Sequence, residues 1–261
     1  MKVIVTGSNS VIGEHLCKKL IESGANVLML GGRSSDVWKL GEILPSSLKA
    51  DCLVHLAHDR TSSLAKNLEN GYLLCNSFAG RKIFLSTLSA HSLAKSKYGI
   101  SKFNLEKIFL EAGGVVLRAG YLYGAEDLGI SGRLNTLVRR LPIVPIPYMG
   151  RPIFYETHID DLTNEILSSV NKNQSGIIFA ANSSPIHLEQ LLKKIASSHD
   201  IRRIFIRIPT APLNKYIEFL SKNFPNISML DSLLSLSVQI SQTEMSEMAQ
   251  PKTIFRDSDD F

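Results

Sequence analysis

Cysteine is scarce in this sequence, and what there is lies scattered. Cys17, Cys52 and Cys75 are the three copies, with no Cys-x-x-Cys among them. That spacing excludes a zinc knuckle, and a small odd number argues against a disulfide framework. Long apolar runs are also lacking. The opening Met1-Lys2-Val3-Ile4-Val5-Thr6-Gly7 is too short for a secretory core segment. The stretch from Leu137 to Met149 is broken by Arg139, Arg140, Pro142, Pro145 and Pro147, far from the roughly 20 apolar residues that span a bilayer. There is no block of like charge. The 29 Lys and Arg against 24 Asp and Glu leave a net +5 spread along the chain, without the basic stripe of a nucleic-acid binder. Internal repeats and low-complexity tracts are absent. These absences point to a reduced, cytoplasmic, soluble protein with neither membrane nor nucleic acid as partner, its mild basicity suited to an anionic small ligand.

What is present is ordinary globular composition, 44% hydrophobic and 20% charged over 261 residues, enough for one to two domains with a full core. Short apolar runs alternate with amphipathic stretches. Strands are expected at Val3–Val5, Asn26–Leu30, Leu53–Leu56, Lys82–Leu85 and Val115–Leu117. Helices are expected at Ile12–Glu22, Thr61–Phe78 and Tyr98–Glu111. Unbroken apolar strands separated by helices indicate a parallel sheet covered on both faces. The fold class is therefore α/β, a Rossmann-like doubly wound sheet. Only about 20 residues separate Leu30 from Asp51, with a short helix expected near Trp38–Ile43. A further βαβ unit needs 30 or more, so one outer strand should be missing. In the second half, helices are expected at Gly132–Arg140, Asp161–Val170, Leu188–Ser197, Pro212–Lys222 and Met229–Gln239, with strands at Ile177–Ala180 and Ile204–Ile208. The tail from Ser241 to Phe261 reads as irregular. Residues 1–170 read as the cofactor domain, and 171–261, interleaved with 125–157, as a smaller substrate-binding region.

The first strand runs into Thr6-Gly7-Ser8-Asn9-Ser10-Val11-Ile12-Gly13 and then a helix. Glycines there allow a tight turn, and backbone N–H groups with the helix N-terminus favour a pyrophosphate. A plain strand-to-helix turn would use glycine too, but the position, with a strand opening at residue 3, favours a dinucleotide. The pattern expected is Gly-x-x-Gly-x-x-Gly, and Ser10 stands at its middle glycine.

Tyr98-Gly99-Ile100-Ser101-Lys102 sets a tyrosine and a lysine four apart, on one helix face. A nearby ammonium favours the phenolate. Alone, the pair is also what a solvated helix start would show. It does not stand alone. The ordered series Val3-Ile4-Val5-Thr6-Gly7…Gly13, Asp51-Cys52-Leu53-Val54-His55-Leu56-Ala57, Phe84-Leu85-Ser86-Thr87, Tyr98…Lys102, Leu117-Arg118-Ala119-Gly120…Tyr123-Gly124 and His158-Ile159-Asp160-Asp161-Leu162 resembles the extended short-chain dehydrogenase/reductases. Within them it is most similar to the NAD-dependent epimerase/dehydratase family that acts on nucleotide sugars. The resemblance covers about residues 1–170.

The resemblance implies that Tyr98 is the general acid/base, that Lys102 holds the nicotinamide ribose and lowers the Tyr98 pKa, and that Thr87 hydrogen-bonds the reacting oxygen. It implies a pyrophosphate bed of Gly7, Ser10 and Gly13, with Asn9, Val11 and Ile12 beside it, and Leu56 and Ala57 at the nicotinamide. Tyr121, Arg133 and Arg151 are candidates for the substrate. Gly31-Gly32-Arg33 follows the second strand where an NAD site usually has an acidic residue, so Arg33 with Ser34 favours NADP over NAD as the 2′-phosphate ligand. The Thr87–Tyr98 loop is shorter than in most relatives. The Arg–Asp pair usual before the His158 motif is replaced by Pro152-Ile153-Phe154-Tyr155-Glu156.

Other constellations are weaker. His55 and His58 lack the carboxylates and helix face of a metal site, so no metal is expected and His55 reads as a wall of the cofactor cleft. Asp161 reads as a helix cap. No Ser–His–Asp order suggests a hydrolase. The apolar face of Met229–Gln239 suits a core or a homodimer contact. Three functions follow: an NAD(P)-dependent epimerase, dehydratase or oxidoreductase on a nucleotide-linked sugar in polysaccharide precursor synthesis; an NADP-dependent carbonyl reductase on a non-nucleotide substrate; and a non-catalytic cofactor-binding sensor or assembly factor, against which the Thr87–Tyr98–Lys102 set counts.

Overall fold

The computed structural model describes residues 1–31, 37–94, 96–125, 129–148 and 153–209. The expected helices at Pro212–Lys222 and Met229–Gln239, the tail from Ser241, and the candidates Arg33 and Arg151 lie outside the described residues. In chain order the first elements are β1 (Lys2–Thr6), α1 (Val11–Glu22), β2 (Asn26–Leu30), β3 (Cys52–His55), α2 (Leu64–Ser77), β4 (Arg81–Thr87), α3 (Lys97–Glu111) and β5 (Val115–Ala119). There follow β6 (Tyr121–Tyr123), α4 (Ile130–Arg140), β7 (Ile143–Tyr148), β8 (Ile153–His158) and α5 (Ile159–Asn171). The last are β9 (Gly176–Ala180), β10 (Pro185–His187), α6 (Leu188–Ser198) and β11 (Ile204–Pro209).

Six strands form one parallel sheet in the order β2-β1-β3-β4-β5-β9. Side chains alternate across it with period two. Val3, Val5, Cys52, Val54, Ile83, Leu85, Val115 and Leu117 face α1 and α5, where Leu16, Leu20, Leu162 and Ile166 complete one core. Ile4, Leu53, Phe84 and Val116 face α2 and α3, meeting Leu74, Leu105, Ile108 and Phe109. Burial on both faces is why these strands are apolar throughout. The chain steps from β1 to β2 on one side and then crosses back over β1 to β3 on the other. This reversal opens a crevice at the carboxyl ends of β1 and β3, where open α/β sheets take their ligands.

Among the described residues β2 is the edge of the sheet, with no strand beyond it. The helix expected near Trp38–Ile43 does not form. Those residues make turns, because Gly41 sits at φ +103°, a conformation no right-handed helix accommodates. Trp38 is buried at that edge beside Ile4, Leu30, Leu44 and Leu53.

The remaining elements form a second cluster. β8 pairs in parallel with β6 and antiparallel with β10, and β7 pairs in parallel with β11. Leu134, Val138, Val144, Ile146, Ile186, Leu191 and Leu192 are its core. β7 carries Pro145 and Pro147 without losing its pairing. Ile204 N–H donates to the Pro142 carbonyl, and the parallel register runs on from Ile143–Ile204 to Tyr148–Pro209. Thr157 joins the two regions, accepting from Gly120 N–H (2.9 Å) and donating to the Ala180 carbonyl (2.7 Å). The cap of α5 is His158, which accepts from Asp160 N–H at 3.2 Å. Asp161, expected to be the cap, lies with Asp160 in the first turn, where negative charge favours the helix dipole. Among the described residues no helix is long and apolar enough to cross a membrane.

Candidate active site

A cleft of about 770 Å³ opens at the carboxyl ends of the central strands. Its floor is the β1–α1 turn. Gly7 has φ +73°, and a side chain there would meet the Ala57 backbone nitrogen at 2.8 Å. A side chain on Gly13 would collide with the Gly7 carbonyl and with Ser8. The position where a middle glycine is expected needs none, since Ser10 has φ −83°. Its hydroxyl donates to the Gly7 carbonyl (2.8 Å) and accepts from Gly13 N–H (3.1 Å), capping α1. Asn9, Ser10, Val11 and Ile12 line the cleft beside Gly7. Val11 and Ile12 are first-turn residues, whose N–H groups have no acceptor within a helix and are available to an anion. These residues fit a dinucleotide pyrophosphate.

On the opposite wall β4 and α3 bring Thr87, Tyr98 and Lys102 together, with Leu56 and Ala57 at the end of β3 between the two walls. Tyr98 stands at the start of α3, which Ser96 caps by accepting from Gly99 N–H at 3.0 Å. Thr87 Oγ1 lies 3.2 Å from Ser89 Oγ. Lys102 is buried; its Nζ donates to the Leu85 carbonyl at 2.7 Å and lies 4.4 Å from the centre of the Phe84 ring.

Two partners of this set escaped the sequence reading. The first is Arg60, whose guanidinium carbon sits 4.8 Å from the centre of the Tyr98 ring. Burial raises the Tyr98 pKa above its ordinary value, and the opposing influence is Arg60, through charge and a hydrogen bond. Lys102 was expected in that role, but its Nζ is 5.8 Å from the Tyr98 ring centre and turned to Leu85. Arg60 was traceable as a charged residue just past a buried parallel strand, where ligands gather. The second is a buried pair under the cleft. Glu106 accepts from Arg118 Nε (2.9 Å) and Nη2 (2.6 Å), and Ser86 Oγ donates to it. Burial holds the Lys102 pKa down at about 7, while the Glu106 charge pulls it back up. One helical turn apart, Lys102 and Glu106 thus form a coupled pair beneath the tyrosine. No local pattern shows that β5 brings Arg118 to them.

His55 is in the wall behind the cleft, with Thr6 Oγ1 at 2.7 Å from its Nδ1 and its ring stacked on Phe84 and Phe109. Burial first, then Lys102 and His58, holds its pKa at about 3. His58 packs edge-on against Tyr98. Burial, Lys102 and Arg60 likewise keep it neutral, with a pKa of about 3. Asp59 turns away into Thr61 and Ser62. The substrate candidates are not gathered here. Tyr121 is buried in the second core, its hydroxyl donating to Ser131 at 3.1 Å. Arg133 lines a separate hollow of about 400 Å³ on α4 with Thr136 and Arg140.

No protein-family profile matches the chain. The chain is 34% identical over 110 residues to UDP-2-acetamido-2,6-beta-L-arabino-hexul-4-ose reductase of Pseudomonas aeruginosa, a match covering 39% of this chain and 29% of that protein. Among solved structures, dTDP-4-dehydrorhamnose reductase of Yersinia enterocolitica superposes with a TM-score of 0.66 at 17% identity, covering 80% of this chain and 84% of the other. The NAD complex of UDP-glucose 4-epimerase from Thermus thermophilus superposes with a TM-score of 0.60 at 17% identity, covering 80% and 86%. The fold is therefore the Rossmann-like α/β fold that these two solved enzymes share.

Proposed function

We propose that the chain is an NAD(P)-dependent oxidoreductase or epimerase of a nucleotide-linked sugar, working in polysaccharide precursor synthesis. The observation that carries the reading is the convergence of Thr87, Tyr98 and Lys102 on one wall of a cleft whose floor is a pyrophosphate bed. Bound there, the nicotinamide would supply the redox chemistry. The chain's own residues supply the rest. Tyr98 exchanges a proton at its hydroxyl with the sugar oxygen, Thr87 Oγ1 orients that oxygen, and Lys102 Nζ is poised to leave Leu85 for the ribose. Arg60 stabilises the phenolate form of Tyr98, and Leu56 with Ala57 excludes water from the nicotinamide side. On this reading the sugar nucleotide is held by residues 171–261 together with 125–157.

One observation favours a second reading, an NADP-dependent carbonyl reductase of a non-nucleotide substrate: Arg133 faces its own hollow rather than the cleft, and a nucleotide diphosphate would want a cation. Identifying any nicotinamide released on denaturing the purified protein separates the two. An epimerase returns electrons to the same cofactor molecule and keeps it, so stoichiometric NAD(H) is expected. A reductase exchanges its cofactor each turnover, and a cofactor-free protein with NADPH-linked turnover of simple carbonyls would replace the first reading by the second.

A further inference from the structure

The turn that follows β3 sets a guanidinium over the tyrosine. Asp59 is occupied inside that turn: its carboxylate accepts from Thr61 N–H (2.8 Å), Thr61 Oγ1 (2.6 Å) and Ser62 Oγ (2.8 Å). The Asp59 carbonyl accepts from Asn67 Nδ2 at 3.0 Å, which ties the turn to α2. An aspartate that bonds the backbone two residues on gives a turn one defined course. Arg60 therefore reaches the cleft, which it lines, from a fixed backbone.

The charge at this end of the cleft is unbalanced. Among the described residues the cations lining it there are Lys102 and Arg60, and the carboxylate is Asp59. Lys102 is turned to the Leu85 carbonyl, and Glu106 beneath is held by Arg118. His58, edge-on to Tyr98 at 5.1 Å, is neutral. Arg60 itself is exposed, and no carboxylate among the described residues pairs with it. A guanidinium carries five N–H donors, more than the Tyr98 hydroxyl can accept, which leaves donors for a ligand.

A sugar that reacts here must bring its oxygen within hydrogen-bond reach of the Tyr98 hydroxyl, about 2.6–3.2 Å. The Arg60 guanidinium carbon lies 4.8 Å from the centre of that tyrosine's ring. The group it can reach therefore sits on the reacting sugar ring rather than on a diphosphate further along the substrate. We infer that Arg60 is a specificity-determining residue for a carboxylate on that ring, and that the substrate is a nucleotide-linked uronic acid. The inference rests on the nucleotide-sugar reading above and names its substrate class. A planar guanidinium meets a carboxylate with two parallel hydrogen bonds, a fit that a neutral hydroxymethyl group lacks.

The test is a matched pair of ligands. UDP-glucose and UDP-glucuronic acid differ only in a hydroxymethyl against a carboxylate, and dTDP-glucose with dTDP-glucuronic acid repeats the pair on a second base. Each is titrated by calorimetry into the full-length chain saturated with NADH or NADPH, which can accept no further hydride. The acid of each pair should bind roughly tenfold or more tightly, the size of one charge-assisted contact. Arg60→Gln should erase that ratio, while Arg60→Lys, a point charge without the fork, should keep part of it. Any effect through Tyr98 is common to both ligands and cancels in the ratio. Equal affinities in the wild type, or a ratio that survives Arg60→Gln because both ligands weaken alike, overturns the inference and leaves the nucleotide-sugar reading standing. Binding of a reduced nicotinamide but of none of these sugars overturns both. Failure to bind either nicotinamide overturns them together with the NAD(P) reading.

Discussion

The central sheet and the second cluster are built on different terms. In the sheet, the central strands β1, β3, β4 and β5 are buried on both faces, and buried polar groups pair within it. Glu106 meets Arg118 with both side chains almost fully buried, and His55 meets Thr6 under two phenylalanine rings. In the second cluster the strands come from distant segments. Two of its ion pairs, Glu189 with Lys193 and Arg207, lie at the surface, and a third sets Lys194 3.7 Å from the buried Glu156 carboxylate. Among the described residues, every charged group that lines the cleft belongs to the first region; the second contributes Gly120, Leu122 and Gly129 to its wall. Acid/base chemistry needs side chains held within a fraction of an ångström, and the strand ends of a rigid sheet hold them. A wall that shapes a substrate tolerates the looser construction.

The strongest way to sharpen this contrast is at Tyr98. Tyr98→Phe removes one hydroxyl and keeps the ring beneath Arg60, so cofactor affinity and fold should stay unchanged while turnover falls by about 10²–10⁴. Tyr121→Phe, the equivalent change in the second cluster, removes a hydroxyl bonded only within its own core and should leave turnover close to wild type. Lys102→Ala should weaken cofactor binding and turnover together. Thr87→Ala should keep the cofactor and lose part of the rate. Arg60→Ala should move the limb of the pH–rate profile that reports Tyr98 to higher pH, because the cation that offsets burial is gone. Near-normal turnover in Tyr98→Phe would remove the mechanism.

The next effect is on stability. Glu106→Ala leaves Arg118 buried without its partner, which typically costs about 3–5 kcal/mol. The fall in unfolding free energy should appear in urea titrations, and Glu106→Gln, which keeps the shape and the Ser86 contact, should cost less. A small effect for Glu106→Ala would mean that this region is no more tightly specified than the second.

How far the sequence could be read follows the same division. The six sheet strands, their helices and the Gly7–Gly13 turn were legible because burial on both faces forces unbroken apolar runs, and a nucleotide loop forces its glycines. β6, β7, β8 and β10 were not. They are three to six residues long, β7 carries two prolines, and their pairing joins segments 30 to 61 residues apart. The cleft was legible where spacing carries chemistry, as in Tyr98 and Lys102. Arg60, Glu106 and Arg118 meet the site only through tertiary packing, and Ser10 showed that a capping serine replaces the middle glycine wherever φ stays negative. The Trp38 turn went unread as well, because a single positive φ at Gly41 decides it.

A smaller effect is a pH dependence confined to the sheet. Ordinary histidine titrates near 6.5, while His55 and His58 are held at about 3. Between these values the unfolded chain binds protons that the folded chain refuses, so stability is complete above pH 6.5 and falls as pH drops toward 3. Each fully excluded proton costs about 2 kcal/mol at pH 5. His55→Phe fits the stack beside Phe84 and Phe109, and its loss of stability between pH 7 and pH 5 should be smaller than that of wild type. An unchanged slope would show that His55 is protonated in the fold.

The smallest expected effect lies at Glu189, on the second cluster's surface. Its carboxylate receives Lys193 Nζ at 2.9 Å and Arg207 Nη2 at 2.7 Å, tying α6 to β11. Hydrogen bonds from both partners hold its pKa below the ordinary carboxylate value. The contribution is therefore present at neutral pH and lost as pH falls through the carboxylate range. Yet the Lys193 and Arg207 side chains are 58% and 64% exposed, so water and salt screen most of the attraction, and exposed pairs of this kind contribute about 0–1 kcal/mol. Glu189→Gln should shift the urea midpoint by no more than that, and less at high ionic strength. A shift as large as that of Glu106→Ala would place a structural keystone in the second cluster and erase the difference between the two regions.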